Sequence, residues 1–219
     1  MGFDVTFHPI SLKELKYFFF DVLEDPGIAA GRAAEITRVP RLQRNALKVY
    51  KMLPVLVRER DPLPSFGLCA AVVAGFLHPF WYARGQGFSL LPPDQVPEAP
   101  ALFVSLDKLG STTLNGLPNP SHGGFLGNES GSGWIPDDRI AAAERLLESL
   151  KTRLGSDGLP IIRTAFDEDG LESLGAALGY CRSKQLGLIE AADVVVPISN
   201  RCVTDESNLR APFLRNVDR

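Results

Sequence analysis

The chain has 219 residues and a formal net charge of −3, with 45% hydrophobic and 22% charged residues. That is the balance of a soluble globular protein with enough material for a real core. The acidic excess argues against nonspecific nucleic-acid binding by the molecule as a whole. Three scattered cysteines (Cys69, Cys181, Cys202) are too few for a disulfide framework or a zinc cluster. Cys69 and Cys181 read as buried thiols, which fits a reducing, cytoplasmic setting.

The opening MGFDVTFHP lacks the basic region and apolar run of a secretory signal. Gly2 and Thr6 match the myristoylation spacing formally, but Phe3, Val5 and Phe7 alternate with Asp4, Thr6 and His8. That alternation predicts a half-buried strand over 3–8. Ser11 and Glu14 form a capping-box pair at the start of a helix over 11–24, with Leu12, Leu15, Phe19 and Val22 on one face. Asp25-Pro26-Gly27 ends it, and a short Ala-rich helix is expected over 28–37.

A longer helix is predicted from 41 to 57, with Leu42, Ala46, Val49 and Leu53 as its apolar stripe. Pro54 is expected to kink or end it near the last turn. Ser65 is the expected cap of an apolar helix over 66–77, which is too short to span a bilayer. The following residues are irregular and proline-rich. The chain reads as a single domain over 1–219, with segment 84–100 as the place where a subdomain boundary would fall.

ALFVSL at 101–106 reads as a short strand. A polar loop over 110–134 then runs into a helix predicted over 136–154. Pro136, Asp137 and Asp138 suit its first turn; Ile140, Ala143, Leu147, Leu150 and Leu154 form its stripe, and Gly155 its stop. PIIRTAF predicts a strand over 160–166. A helix over 167–184 follows, with Leu171, Leu174, Leu178 and Cys181 inward. A last strand is placed near 192–198 and is expected to pair with the N-terminal strand. Helices outnumber strands and do not alternate with them, so the expected class is α+β, helix-rich, with a small mixed or antiparallel sheet.

Charge is unevenly distributed. Residues 32–60 hold eight bases and two acids, a local +6 that leaves −9 for the remainder. Arg41, Arg44, Lys48 and Lys51 fall on one helical face. They are the anion-binding candidates, although a solvated face is the simpler reading.

The long loop is the main functional candidate, because long ordered loops in compact domains often carry function. Its GNESG segment is not a G-x-S-x-G elbow, GSG lacks the third glycine of a dinucleotide fingerprint, and no Lys-Ser or Lys-Thr closes a P-loop. His122 is the loop's one residue with general-base chemistry near neutral pH. With Ser121 or Ser130, and with Glu129 or Asp107 as the acid, it defines a hydrolase alternative. His8 and His78 precede prolines and read as groups satisfying backbone at element ends. No HExxH or paired-histidine spacing exists, so neither a metal nor a cofactor is implied.

Molecular recognition fits the loop better. Trp134 on an exposed surface would anchor a partner, with Asn128, Glu129, Ser130 and Ser132 as adaptable polar contacts around it. Folded inward with Ile135, the indole would instead staple the following helix. The opening MGFDVTFHPIS, the segment Asn128–Pro136 and LGLIEAADVVVP at 186–197 together resemble small uncharacterised bacterial proteins of the toxin-immunity type. The resemblance covers about forty residues and carries over no catalytic residue. It implies a cytoplasmic protein that binds and occludes a protein partner. A phosphate- or nucleotide-binding module using the basic face is a further alternative, and nucleic acid is not the expected partner.

Overall fold

Strand β1 (Asp4–Ile10) is covered on both faces. Val5 and Phe7 enter one hydrophobic cluster, and Ile10 enters another on the opposite side. The computed structural model describes residues 4–84, 88, 91, 94–118, 133–157, 168–192, 194 and 203–209. Within them β1 belongs to a six-stranded antiparallel sheet of order β3-β4-β5-β1-β2-β6. The other strands are β2 (Phe80–Arg84), β3 (Val104–Ser105), β4 (Gly133–Ile135), β5 (Gly187–Ala192) and β6 (Val203–Thr204).

One layer of helices covers the Ile10 face. It begins with α1 (Leu12–Leu15), a π turn (Lys16–Phe20) and α2 (Asp21–Glu24), which together form the helix predicted over 11–24. The capping box is present: the Glu14 amide donates to Ser11 Oγ at 3.1 Å, and the Ser11 amide donates back to Glu14 Oε2 at 2.9 Å. The π turn admits an extra residue, so Phe19 and Phe20 are both buried. A 3-10 turn (Pro26–Ile28) and α3 (Ala29–Ile36) follow.

Helix α4 (Pro40–Glu59) buries Leu42, Ala46, Val49 and Leu53, as the periodicity predicts, and adds Tyr50 and Leu56. Pro54 does not end it, because its neighbours are fixed by burial of Leu53 and Leu56. Each such aliphatic side chain is worth about 1.5–3 kcal/mol, so the two together offset the roughly 3 kcal/mol cost of an interior proline. Helix α5 (Leu63–Leu77) starts three residues earlier than expected, with Pro62 at its N-cap; Ser65 Oγ instead donates to Asp61 Oδ2 at 3.2 Å. This helix is apolar all round because it lies between α4 and the sheet.

A second helical layer covers the other face. Helix α7 (Ile140–Asp157) is entered through a 3-10 turn (Asp137–Arg139), and α8 (Glu168–Lys184) packs between it and β2, β1 and β5. Ile140, Ala143, Leu147 and Leu150 of the first, and Leu171, Leu174, Leu178 and Cys181 of the second, are buried as expected. The architecture is α+β, with the antiparallel sheet between two helical layers.

Several expectations change. The half-buried reading of β1 fails because α5 covers the face that carries Thr6 and His8, both of which are buried. The irregular stretch after residue 77 contains β2, whose aromatic run simply continues the apolar run of α5. In place of a strand over 101–106 there is a short helix α6 (Glu98–Leu102) and then the two-residue β3. The strand pairing with β1 is β5 at 187–192, in the register Val5↔Ala192 to Ile10↔Gly187. Residues 195–198 and the predicted strand over 160–166 lie outside the described residues.

Candidate binding surface

The first half of the long loop is a brace laid across the α4/α5 layer. Leu106 and Leu114 are fully buried in the same cluster as those helices. A 3-10 turn (Leu106–Leu109) ends at Gly110, whose φ of 109° is a left-handed conformation that favours glycine. The chain then wraps the carboxylate of Glu24, at the end of α2. Ser111 Oγ donates to Oε1 at 2.6 Å, the Thr113 amide to Oε1 at 3.1 Å, and Thr113 Oγ1 to Oε2 at 2.7 Å, with Thr112 Oγ1 at 3.3 Å. Burial raises the Glu24 carboxyl, but the Ser111, Thr113 and Thr112 donors outweigh it and hold the group below its ordinary range.

Further on, the Arg60 guanidinium donates to the Gly116 carbonyl at 3.1 Å, and the Leu63 amide donates to the Pro118 carbonyl at 2.8 Å. Arg60 caps α4 in the left-handed region, at φ 52°. Substituting Glu24 with alanine removes every acceptor of this clamp and leaves the buried Ser111 hydroxyl unpaired. The expected loss is about 1 kcal/mol after solvent competition. Faster hydrogen exchange at the Thr113 amide is the check; unchanged protection there would contradict the clamp.

The loop's far end is fixed by Trp134, and here the exposed-anchor expectation is corrected. The indole is 3% exposed. Its Nε1 donates to the Ile10 carbonyl at 3.3 Å, and its ring lies on Gly187, where an added Cβ would come within 2.3 Å of Cε2. The cause is β4, which pairs Trp134 with Ile189 and Ile135 with Leu188 of β5. That pairing turns Trp134 onto the α5 side and Ile135 onto the α7 side. Both ends of segment 119–132 are therefore held by the scaffold. His122, Ser121, Asn128, Glu129, Ser130 and Ser132 lie outside the described residues.

The basic face of α4 is solvent-exposed at Arg41, Arg44, Lys48 and Lys51. None of these has an acidic partner among the described residues. Elsewhere surface cations do meet acids: Arg32 with Glu35 and Asp21, Lys151 with Glu148, and Arg182 with Glu144. The α4 arrangement opposes helix stability in two ways. Arg41–Arg44, Arg44–Lys48 and Lys48–Lys51 are like-charged neighbours at three- and four-residue spacing, each unfavourable by about 0.2–0.5 kcal/mol. No acid occupies the first turn, so Arg41 stands at the positive end of the helix dipole.

The described histidines serve structure. Thr6 Oγ1 donates to the Ala191 carbonyl at 2.9 Å, so it accepts from His8 Nε2 at 2.8 Å and leaves His8 Nδ1 buried without a partner. The ring stacks on Phe80 at 4.8 Å, and burial pushes its pKa down to about 3. Neither histidine satisfies backbone in the way its position before proline implies. His78 Nε2 donates to both oxygens of Glu14 at 3.1 Å, and this hydrogen bond is the main cause of a Glu14 pKa near 2.

Ser11 Oγ also donates to Glu14 Oε2, at 2.7 Å. The carboxylate thus sits between serine and histidine, so His78 cannot take the serine proton as a triad requires. The buried Glu190 carboxylate accepts the Phe88 amide at 2.8 Å, which ties residue 88 to the sheet. A shallow, open depression of about 410 Å³ over the π turn is lined by Leu12, Lys13, Lys16, Tyr17 and Asp21. It holds no buried ionisable group. Among the described residues no group of His, Cys, Asp and Glu could hold a metal ion, and no helix is long and apolar enough to cross a membrane.

The Glu24 clamp and the Arg60 strut have no local sequence signal; only the Ser-Thr-Thr run after Gly110 hints at a carboxylate partner. No family model matches the chain, and no match appears among curated proteins or solved structures.

Proposed function

We propose that this protein works by binding a macromolecular partner, as an immunity-type or accessory protein that occludes it. One observation carries the reading: a long polar loop whose two ends are both fastened to the core. Glu24, Arg60 and the Leu63 amide hold residues 111–118, and Trp134 holds the return into β4. Binding loops work when a rigid scaffold fixes their ends, because less conformational entropy is lost on association. Asn128, Glu129, Ser130 and Ser132 are the proposed contacts. The brace and β4 supply rigid flanks, and the buried Trp134 fixes the loop rather than touching the partner.

Of the hydrolase alternative, His122 with Ser121 or Ser130, only the candidate acid Asp107 lies among the described residues; its Oδ1 is buried without a hydrogen-bond partner, and no described serine pairs with a histidine acting as its base. Co-expression with the product of the neighbouring gene, followed by light scattering, tests the binding reading. A stoichiometric complex is expected; separate elution of the two proteins at micromolar concentration contradicts it.

A further inference from the structure

We propose that the exposed face of α4 is a docking surface for an acidic helix of a protein partner. This rests on the partner-binding reading and adds to it a second surface and the chemistry that fits it. Arg41, Arg44, Lys48 and Lys51 form one line along the helix, about 15 Å from first to last at the helical rise. The face is rigid, because the opposite side of the helix is pinned by Leu42, Ala46, Val49, Leu53 and Leu56.

Two features separate this face from an ordinary solvated one. The cations lack the interspersed acids that make such a surface self-neutralising, and the first of them, Arg41, stands at the pole of the helix dipole that disfavours it. Functional surfaces commonly keep residues that cost stability. The face is also not uniformly charged. Half-buried Val55 lies on the line beyond Lys51, and Val39, 46% exposed, sits just before the helix.

That mixture suits carboxylates presented on a protein helix with apolar side chains between them. It suits a phosphate backbone less well. A duplex is negative along its whole length and would extend past this one helix over a chain whose remaining residues carry −9. Tyr17, the large aromatic exposed among the described residues, already has Arg32 stacked over its ring at 3.4 Å, and base stacking would compete with that contact.

The test is the double variant Arg41→Glu with Lys48→Glu in the full-length protein. It places carboxylates three residues before Arg44, four after it and three before Lys51, turning like-charge neighbours into opposite ones. The melting temperature is expected to rise by about 2–4 °C. Affinity for a labelled glutamate-rich helical peptide of about five turns is expected to fall at least about tenfold, as two exposed attractions become repulsions. A fall in melting temperature overturns the proposal, because the cations would then serve the fold.

Unchanged peptide binding in the variant overturns it too, as does wild-type protein that binds no peptide. Tighter binding of mixed-sequence DNA than of the peptide overturns it in favour of a nucleic-acid site. With the neighbouring gene product, a complex of unaltered affinity in the double variant sinks the α4 surface and leaves the partner-binding reading standing. Peptide binding without any complex does the reverse.

Discussion

Replacing Trp134 with alanine is expected to lower stability by about 3–5 kcal/mol, the range for deleting a large aromatic from a packed core. In a protein of this size that is a fall in melting temperature on the order of 10 °C. The indole fills the space between Ile10, Ile189 and Gly187 and carries a hydrogen bond to the Ile10 carbonyl. Gly187→Ala approaches the same contact from the other side. Its Cβ would sit 2.3 Å from rigid ring atoms rather than from the end of a flexible chain, so the strand must shift or the ring must leave. Thermal denaturation of both variants is the check. An unperturbed melting temperature in Trp134→Ala would restore the indole to the surface as a partner contact.

The second large effect is a pH dependence set by His8. The ring is 0% exposed and its pKa is depressed to about 3, because burial disfavours the charged form. In the unfolded chain an ordinary histidine takes up its proton near pH 6.5. Between those values the unfolded state binds the proton and the folded state does not. Stability is therefore complete above pH 6.5 and is lost as pH falls towards 3, by up to about 1.4 kcal/mol per unit. His8→Leu removes the titrating group while leaving Thr6 Oγ1 its acceptor at Ala191. The slope of unfolding free energy between pH 6 and about 4 is expected to flatten in that variant. An identical slope in the two proteins would place the acid sensitivity elsewhere.

What the sequence reveals follows the range of the interactions. The stripes of α4, α7 and α8 are legible because burial there repeats every three or four residues within one element. The capping box of Ser11 and Glu14 is legible for the same reason. Strand β2 is hidden because both of its faces are apolar: Phe80 and Tyr82 face one layer, Trp81 and Ala83 the other. Its residues therefore do not alternate, and they run on from α5. Strands β3 and β4 are too short to show a period at all.

The orientation of Trp134 and the burial of His8 depend on what covers each strand, which is a tertiary fact. The brace is less visible still. Ser111 meets Glu24 across 87 residues of chain, and Arg60 meets Gly116 across 56. Sequence reasoning locates the loop as the place of interest through its composition. It cannot find the carboxylate and the guanidinium that hold the loop's first half, because neither lies near it in the chain.

The claim that the braced loop is what binds has a direct test in the affinity of the partner for a doubly loosened protein, Glu24→Ala with Arg60→Ala. Both substitutions lie outside the proposed contacts Asn128, Glu129, Ser130 and Ser132, and both leave the two helical layers in place. If fixed ends give the loop its affinity, calorimetric titration should show at least about tenfold weaker binding, with a larger unfavourable entropy. The same affinity and entropy as wild type would mean that the brace serves only the fold and that the partner is bound elsewhere.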